Sequence, residues 1–310
     1  MVVLALALAG SARAGGTPRG YVLLPAEGRV ALVDLQAGRV LKTVAVPRGA
    51  GPLVASIDGS RVLVANTRTG VVTEINGISG RRARMFVGLG RPTELALIPR
   101  TAVGYVRPRY AIVLDARGWI AILDLDRGRV VERAAVANPV RMALAEDQLW
   151  VASGRSARLT QFDVSEPARL RRLARPTIGG TPTALAPDPA GSADVNAALG
   201  DGRLVRVDAV SLSTRIIGRI PGRVTQLLAG YGGVLWAVEA GGTVLGVRLR
   251  DGHIVSATHA PARSRFTIVG GWLVATYDDS LRMIAPGTRR GGTTTTLPGA
   301  AGAFSFAVLP

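Results

Sequence analysis

Apolar and polar positions along this chain fall into short runs of three kinds that recur in a fixed order. The first kind is a nearly continuous apolar stretch of the form VLVAN. It appears as YVLLPA from Tyr21, VLVAN from Val62, AIVLD from Ala111, LWVAS from Leu149, VNAAL from Val195, LWAVE from Leu235 and WLVAT from Trp272. Successive copies start 37 to 49 residues apart, the period of a four-stranded structural repeat. The second kind follows the first six copies after a turn: VDLQAGRV from Val33, INGISGRR from Ile75, LDLDRGRV from Leu123, FDVSEPAR from Phe162, VDAVSLST from Val207 and VRLRDGHI from Val247. Period-two alternation puts its first and third side chains into a core between repeats. Asp34, Asn76, Asp124, Asp163 and Asp208 are expected to end the strand by accepting hydrogen bonds from the next turn's N–H groups. Gly38, Gly128 and Gly252 supply the positive φ that such a turn needs. RVLKTVAV after Gly38 and RVVERAAV after Gly128 then read as outer strands.

The third kind alternates apolar and polar residues and precedes the next VLVAN copy. GPLVASIDGS starts at Gly51, RPTELALIP at Arg91, NPVRMALAED at Asn138, TPTALAPDP at Thr181, RVTQLLAGYGG at Arg223, RFTIVGG at Arg265 and AFSFAVLP at Ala303. Proline at a strand's first residue costs no ladder hydrogen bond, and these segments read as innermost strands. The pattern begins at a second strand, Tyr21, and finishes on an inner strand with nothing after it. Those two pieces make one repeat between them. The expectation is an all-β, seven-bladed β-propeller with four-stranded antiparallel blades, one domain over residues 20–310. Its ring would be closed by the C-terminal strand joining the N-terminal blade, which removes the exposed edges of an open array. No apolar period of 3.6 residues is sustained, so a helical fold is a poor competitor.

The segment from Val33 to Asn66, ending SIDGSRVLVAN, and that from Leu123 to Ser153 resemble the YVTN-type propeller repeat, also called lactonase-like or surface-layer-type. Its unit reads roughly VDxxxGxVxxxIxVGxxPxxxAxxPDGxxLYVAN. The resemblance runs over about residues 20–310 and decays in the later blades, where Arg248 and Ala285 replace the turn acid. It implies the propeller fold. Proteins that share it include lactonases, a streptogramin lyase, beta subunits of amine dehydrogenases and many exported binders without enzymatic activity, so it does not select a function.

Composition changes the picture at three points. There is no cysteine, which excludes disulfides, thiolate metal sites and a Cys nucleophile. The formal charge is +17, and every one of the 38 cations except Lys42 is arginine. Such a surface attracts anionic partners in a salt-dependent way: an acidic protein, an anionic cell-envelope polymer or, without sequence specificity, nucleic acid. RRAR (Arg81–Arg84) and RLRR (Arg169–Arg172) are the densest basic runs. At the N-terminus, an apolar run from Val2 to Ala9 leads to Ala12-Arg13-Ala14, so residues 1–14 read as a signal peptide cleaved before Gly15. The run is too short to span a bilayer. The expected protein is an exported monomer with no membrane span.

Candidate chemistry is sparse. His253 and His259 lack a third ligand of the usual type, so no metal is expected. Glycine-rich GLGRPTE (Gly88–Glu94) and AGGT (Ala240–Thr243) open no helix and read as turns, and no cofactor is expected. Two histidines leave little room for a nucleophile–base pair. Glu27, Glu74, Glu94, Glu132, Glu146, Glu166 and Glu239 are scattered and mostly expected in solvent. The one pattern that converges is cationic. Arg91, Arg141, Arg223 and Arg265 each lie near the start of an inner strand, with Arg48 and Arg175 a little further upstream. Inner strands line a propeller's channel, so these guanidiniums are expected to form a ligand-binding mouth for carboxylate or phosphate. Two function classes follow, a non-enzymatic binding module and a lactonase-like enzyme using a carboxylate in the mouth, with electrostatic polyanion binding as a third. A carboxylate facing the arginines inside an axial pocket would favour the enzyme. Trp150, Trp236 and Trp272 are expected in the core and Trp119 at the surface.

Overall fold

Both faces of every second strand are apolar, which suits a sheet packed between two others rather than one with a wet side. The computed structural model describes residues 19–24, 27–34, 39–56, 58–98, 107–261, 264–269, 272–277, 280–284, 294–296 and 305–309. They form seven four-stranded antiparallel sheets, the arrangement of a seven-bladed β-propeller. The stretch read as a signal peptide, Gly38 and Ala285 lie outside the described residues.

The inner strands of blades 2 to 7 are Ala50–Ala55, Pro92–Ile98, Pro139–Ala145, Pro182–Pro187, Val224–Ala229 and Arg265–Val269. Each is followed by its second, third and outer strands in chain order. Blade 1 is composite. The last strand, Ser305–Leu309, pairs antiparallel with Arg19–Leu24, with Ser305 opposite Leu23 and Leu309 opposite Arg19. That last strand also lies beside the inner strands of blade 2 and blade 7.

Alternation along each strand divides the core by blade seam. In the second strand of blade 3 (Tyr110–Asp115), Ala111 and Val113 pack against Leu63, Ala65 and Val72 of blade 2. Ile112 and Leu114 point the other way, against Leu149, Val151 and Phe162 of blade 4. The two tryptophans in the equivalent slots fill further seams: Trp150 joins blades 4 and 5, and Trp236 joins blades 6 and 7. Trp119 is half-exposed, and the side chain of Trp272 lies outside the described residues. Outer strands carry the exposed basic runs, including Arg81 to Arg84.

The turn acids behave as their position predicts. Asn76 Oδ1 accepts from Ser79 N at 2.8 Å, Asp124 Oδ1 from Arg127 N at 2.9 Å, Asp163 Oδ1 from Ser165 N at 2.9 Å and Asp208 Oδ1 from Ser211 N at 2.7 Å. Gly128, at φ 71°, completes the Asp124 turn, and Gly252, at the same φ, completes the turn after Arg248, where the acid is missing.

Candidate functional site

The axial cavity begins with a local irregularity repeated from blade to blade. In blades 2 to 6 the register of inner against second strand slips near the start of the inner strand. A bulge of this kind bends the strand and re-aims the next side chain. Thr93, Thr183 and Thr225 are the extra residues in blades 3, 5 and 6. Each hydroxyl donates to a second-strand carbonyl beside the slip: Leu114 O at 3.3 Å, Ala198 O at 3.3 Å and Val238 O at 3.2 Å.

The residue after the bulge faces the axis. Glu94, Arg141, Ala184 and Gln226 occupy this position, each opposite the penultimate residue of its second strand. Arg265, opposite Thr276, has the same register; its side chain lies outside the described residues. Inner strands are sheet edges with unpaired backbone groups, and three of these side chains tie such edges together across blades. Glu94 Oε2 accepts from Met142 N of blade 4 at 2.6 Å. Arg141 Nη2 donates to Thr225 O of blade 6 at 3.4 Å, past the short Ala184 of blade 5. Gln226 Nε2 donates to Phe266 O of blade 7 at 2.9 Å.

These groups line a cavity of about 640 Å³ together with Thr67, Leu95, Leu185 and Ser264. Glu94 and Arg141 form an ion pair in it, Oε1 to Nη1 at 3.5 Å, with side-chain exposures of 24% and 41%. The cavity removes Glu94 from bulk water, and this desolvation pushes its pKa up to about 7 against the opposing pull of Arg141 and the Met142 N–H.

Of the three expected mouth arginines whose side chains are described, Arg91, Arg141 and Arg223, Arg141 is the one that lines this cavity. Arg91 and Arg223 precede the first strand residue and the bulge, and both are exposed. Gly90, at φ 69°, lays the backbone against Asp115, whose Oδ1 accepts from Arg91 N at 2.8 Å. Arg48 and Arg175 are exposed as well. Position relative to the bulge thus sorts the described arginines: Arg141, after it, reaches the cavity, and Arg91 and Arg223, before it, are exposed. The signal was legible in PTE, PVR, PTA and VTQ, whose third letters are the axial residues.

Two glutamates depart from the expectation of a solvated surface. Glu94 is one, and Glu74, 1% exposed, is the other. Among the described residues no group of three His, Cys, Asp or Glu is placed to hold a metal ion, and no helix is long and apolar enough to cross a membrane.

The fold is that of a β-propeller, and solved structures similar to it agree. A functionally unknown protein from Desulfotomaculum acetoxidans matches with a TM-score of 0.74 and 10% identity, over 94% of this chain and 98% of that one. Hydrazine synthase from Kuenenia stuttgartiensis matches at 0.67 and 13%, over 82% and 88%. Apo AztD from Citrobacter koseri matches at 0.65 and 14%, over 94% and 97%. At these identities the likeness is one of fold alone. No family model matches the chain, and neither does any curated protein.

Proposed function

We propose that this chain is an exported, non-enzymatic propeller of the YVTN type, its seven blades closed into a ring by the last strand. In this reading it binds a small carboxylate-bearing ligand in the axial cavity at Arg141. The observation that carries the reading is the Glu94–Arg141 pair: a half-exposed guanidinium whose one carboxylate neighbour is half protonated near neutral pH, and so compensates it incompletely. An incoming carboxylate offers Arg141 a full charge and a bidentate partner, which a guanidinium holds better than a single long contact. The hydroxyls of Thr67 and Ser264, which donate to Pro92 O at 2.8 Å and Pro261 O at 2.6 Å, leave their oxygens to accept from donor groups on the rest of the ligand. Closure is supported by the pairing of Ser305–Leu309 with Arg19–Leu24, and export by the apolar run before Ala12-Arg13-Ala14.

Calorimetric titration of the full chain with citrate tests the binding reading. Saturable binding should weaken at least tenfold in Arg141→Gln, and it should tighten in Glu94→Gln, where the competing carboxylate is gone. Equal affinity in all three proteins defeats the assignment.

One observation favours a second reading. A carboxyl group of pKa about 7 beside a cation in a cavity has the properties of a general acid or base, which suits a lactonase-like hydrolase. Turnover of a simple γ-lactone by the wild type that disappears in Glu94→Gln, while citrate still binds, selects the enzyme over the binding module.

A further inference from the structure

A second cavity, of about 520 Å³, opens on the seam between blades 5 and 6. Strands alternate direction within a blade, so first-to-second and third-to-outer turns share one face of the propeller. This cavity belongs to that face. Asp188 lies in the turn after Pro182–Pro187, Gly232 and Gly233 in the turn after Val224–Ala229, and Arg250 in the turn after Thr243–Arg248. Arg91, Arg223 and the other inner-strand starts lie at the opposite face.

Four guanidiniums line the cavity: Arg206 and Arg215 from blade 5, and Arg248 and Arg250 from blade 6. Their partners are unequal. Arg206 is fully engaged, with Nη2 at 3.0 Å from Asp188 Oδ2 and 2.7 Å from Asp194 Oδ2. Arg248 and Arg250 share a single carboxylate, Asp251, at 3.4 and 3.3 Å. Arg248 Nε is shielded from solvent and lacks an acceptor in hydrogen-bonding geometry. The guanidinium of Arg215 has no partner among the described residues. Arg206 and Arg215 stand directly opposite each other across neighbouring strands, with both nearby carboxylates, Asp188 and Asp194, on Arg206.

Arg215, Arg248 and Arg250 face one carboxylate, Asp251, and Arg248 Nε lacks an acceptor, so an anion with several acceptor oxygens supplies what these three lack, while Asp188 Oδ1, shielded and without a donor, sets the side of the floor the anion must avoid. The wall facing them is open: Gly232 and Gly233, at φ 67° and 74°, have no atom within 4 Å of where a Cβ would stand. We propose that this seam is a binding site for a phosphate-bearing ligand of at least two negative charges, held by Arg215, Arg248 and Arg250 over the floor formed by Arg206 and Asp188. The site is independent of the axial cavity, so failure of either reading leaves the other standing.

Calorimetry at 0.15 M salt with inorganic pyrophosphate and, separately, with glycerol phosphate tests it on the full chain. Saturable binding is expected, and the tighter of the two probes tells whether the natural source is an inorganic or an organic phosphate. Arg215→Ala should weaken it about tenfold or more, since a hydrogen bond to a charged group is worth that much. Arg215→Lys keeps the charge and loses the planar fork, so it should fall between. Arg117→Ala removes an exposed arginine from the other face and should change affinity less than twofold. Absence of saturable binding, or equal weakening by Arg215→Ala and Arg117→Ala, overturns the site in favour of diffuse attraction to a basic surface.

Discussion

The seam between blades 2 and 3 and the seam between blades 5 and 6 are both built around arginine, and they use it in opposite ways. In the first, Arg61 is 1% exposed. Its Nη1 donates to Glu74 Oε1 at 2.9 Å, its Nη2 to Asp126 Oδ1 from the neighbouring blade, and Arg84 reaches Glu74 Oε2 at 3.1 Å and the Asp126 carbonyl at 3.0 Å. Two cations meet two carboxylates, although Arg61 Nε, like Arg248 Nε, is shielded without an acceptor in hydrogen-bonding geometry. Burial still raises the pKa of Glu74, against the pull of Arg61 and Arg84, so the network is held by mutual dependence rather than by surplus attraction. In the second seam the cations outnumber their acids and a cavity opens beside them. A closed account makes arginine a staple; an open one makes it a receptor.

The comparison breaks most sharply at Arg61. Arg61→Ala leaves Glu74 buried with one partner and strips the Asp126 carboxylate of its cross-blade ion pair, and should cost about 3–5 kcal/mol. Urea unfolding of wild type and variant under the same conditions measures it. A loss below about 1 kcal/mol shows that the pair is not a staple.

Glu94 is the intermediate case, paired but desolvated. It holds its proton more tightly folded, at about 7, than its ordinary 4.5 in the unfolded chain. Stability therefore falls as pH rises between those values, and the deficit persists above them. At about 1.4 kcal/mol for each pH unit, the whole fall is about 3 kcal/mol. Glu94→Gln should flatten this part of the pH–stability curve and leave the variant the more stable protein at pH 8. An unchanged slope between pH 5 and 7 locates the titrating group elsewhere.

How much of this was legible beforehand follows from what each residue answers to. The inner strands beginning at Pro92, Pro139 and Pro182, and the turn carboxylates Asp124, Asp163 and Asp208, answer to local rules that repeat along the chain, and periodicity alone places them. The channel arginines answer to register. A single-residue bulge after the inner-strand starts of blades 2 to 6 sends Arg141 inward and leaves Arg91 and Arg223 outside, although all three lie within two residues of a strand start in sequence. Glu94 was visible as a repeat-slot mate of Arg141 and Gln226 only once that slot was known. The blade 5–6 cluster was the least legible. Arg206, Arg215, Arg248 and Arg250 come from different strands and turns of two blades, and in a chain so rich in arginine nothing in their spacing marks them out.

The smallest effect is the most discriminating. If Arg215 were held by packing or by a hidden ion pair, its removal would cost stability as removal of any engaged arginine does. Its guanidinium is exposed and unpartnered among the described residues, so in the ligand-free protein Arg215→Ala should change stability by less than about 0.5 kcal/mol. With pyrophosphate present the wild type should gain the more, because ligand bound to the native state alone stabilises it by an amount that grows with concentration, and a tenfold weaker variant by about 1.4 kcal/mol less at saturation. Thermal melts of both proteins, with and without pyrophosphate, separate the outcomes. A wild type that melts at the same temperature in either condition sets the seam between blades 5 and 6 beside that between blades 2 and 3, as one more place where arginine holds the structure together.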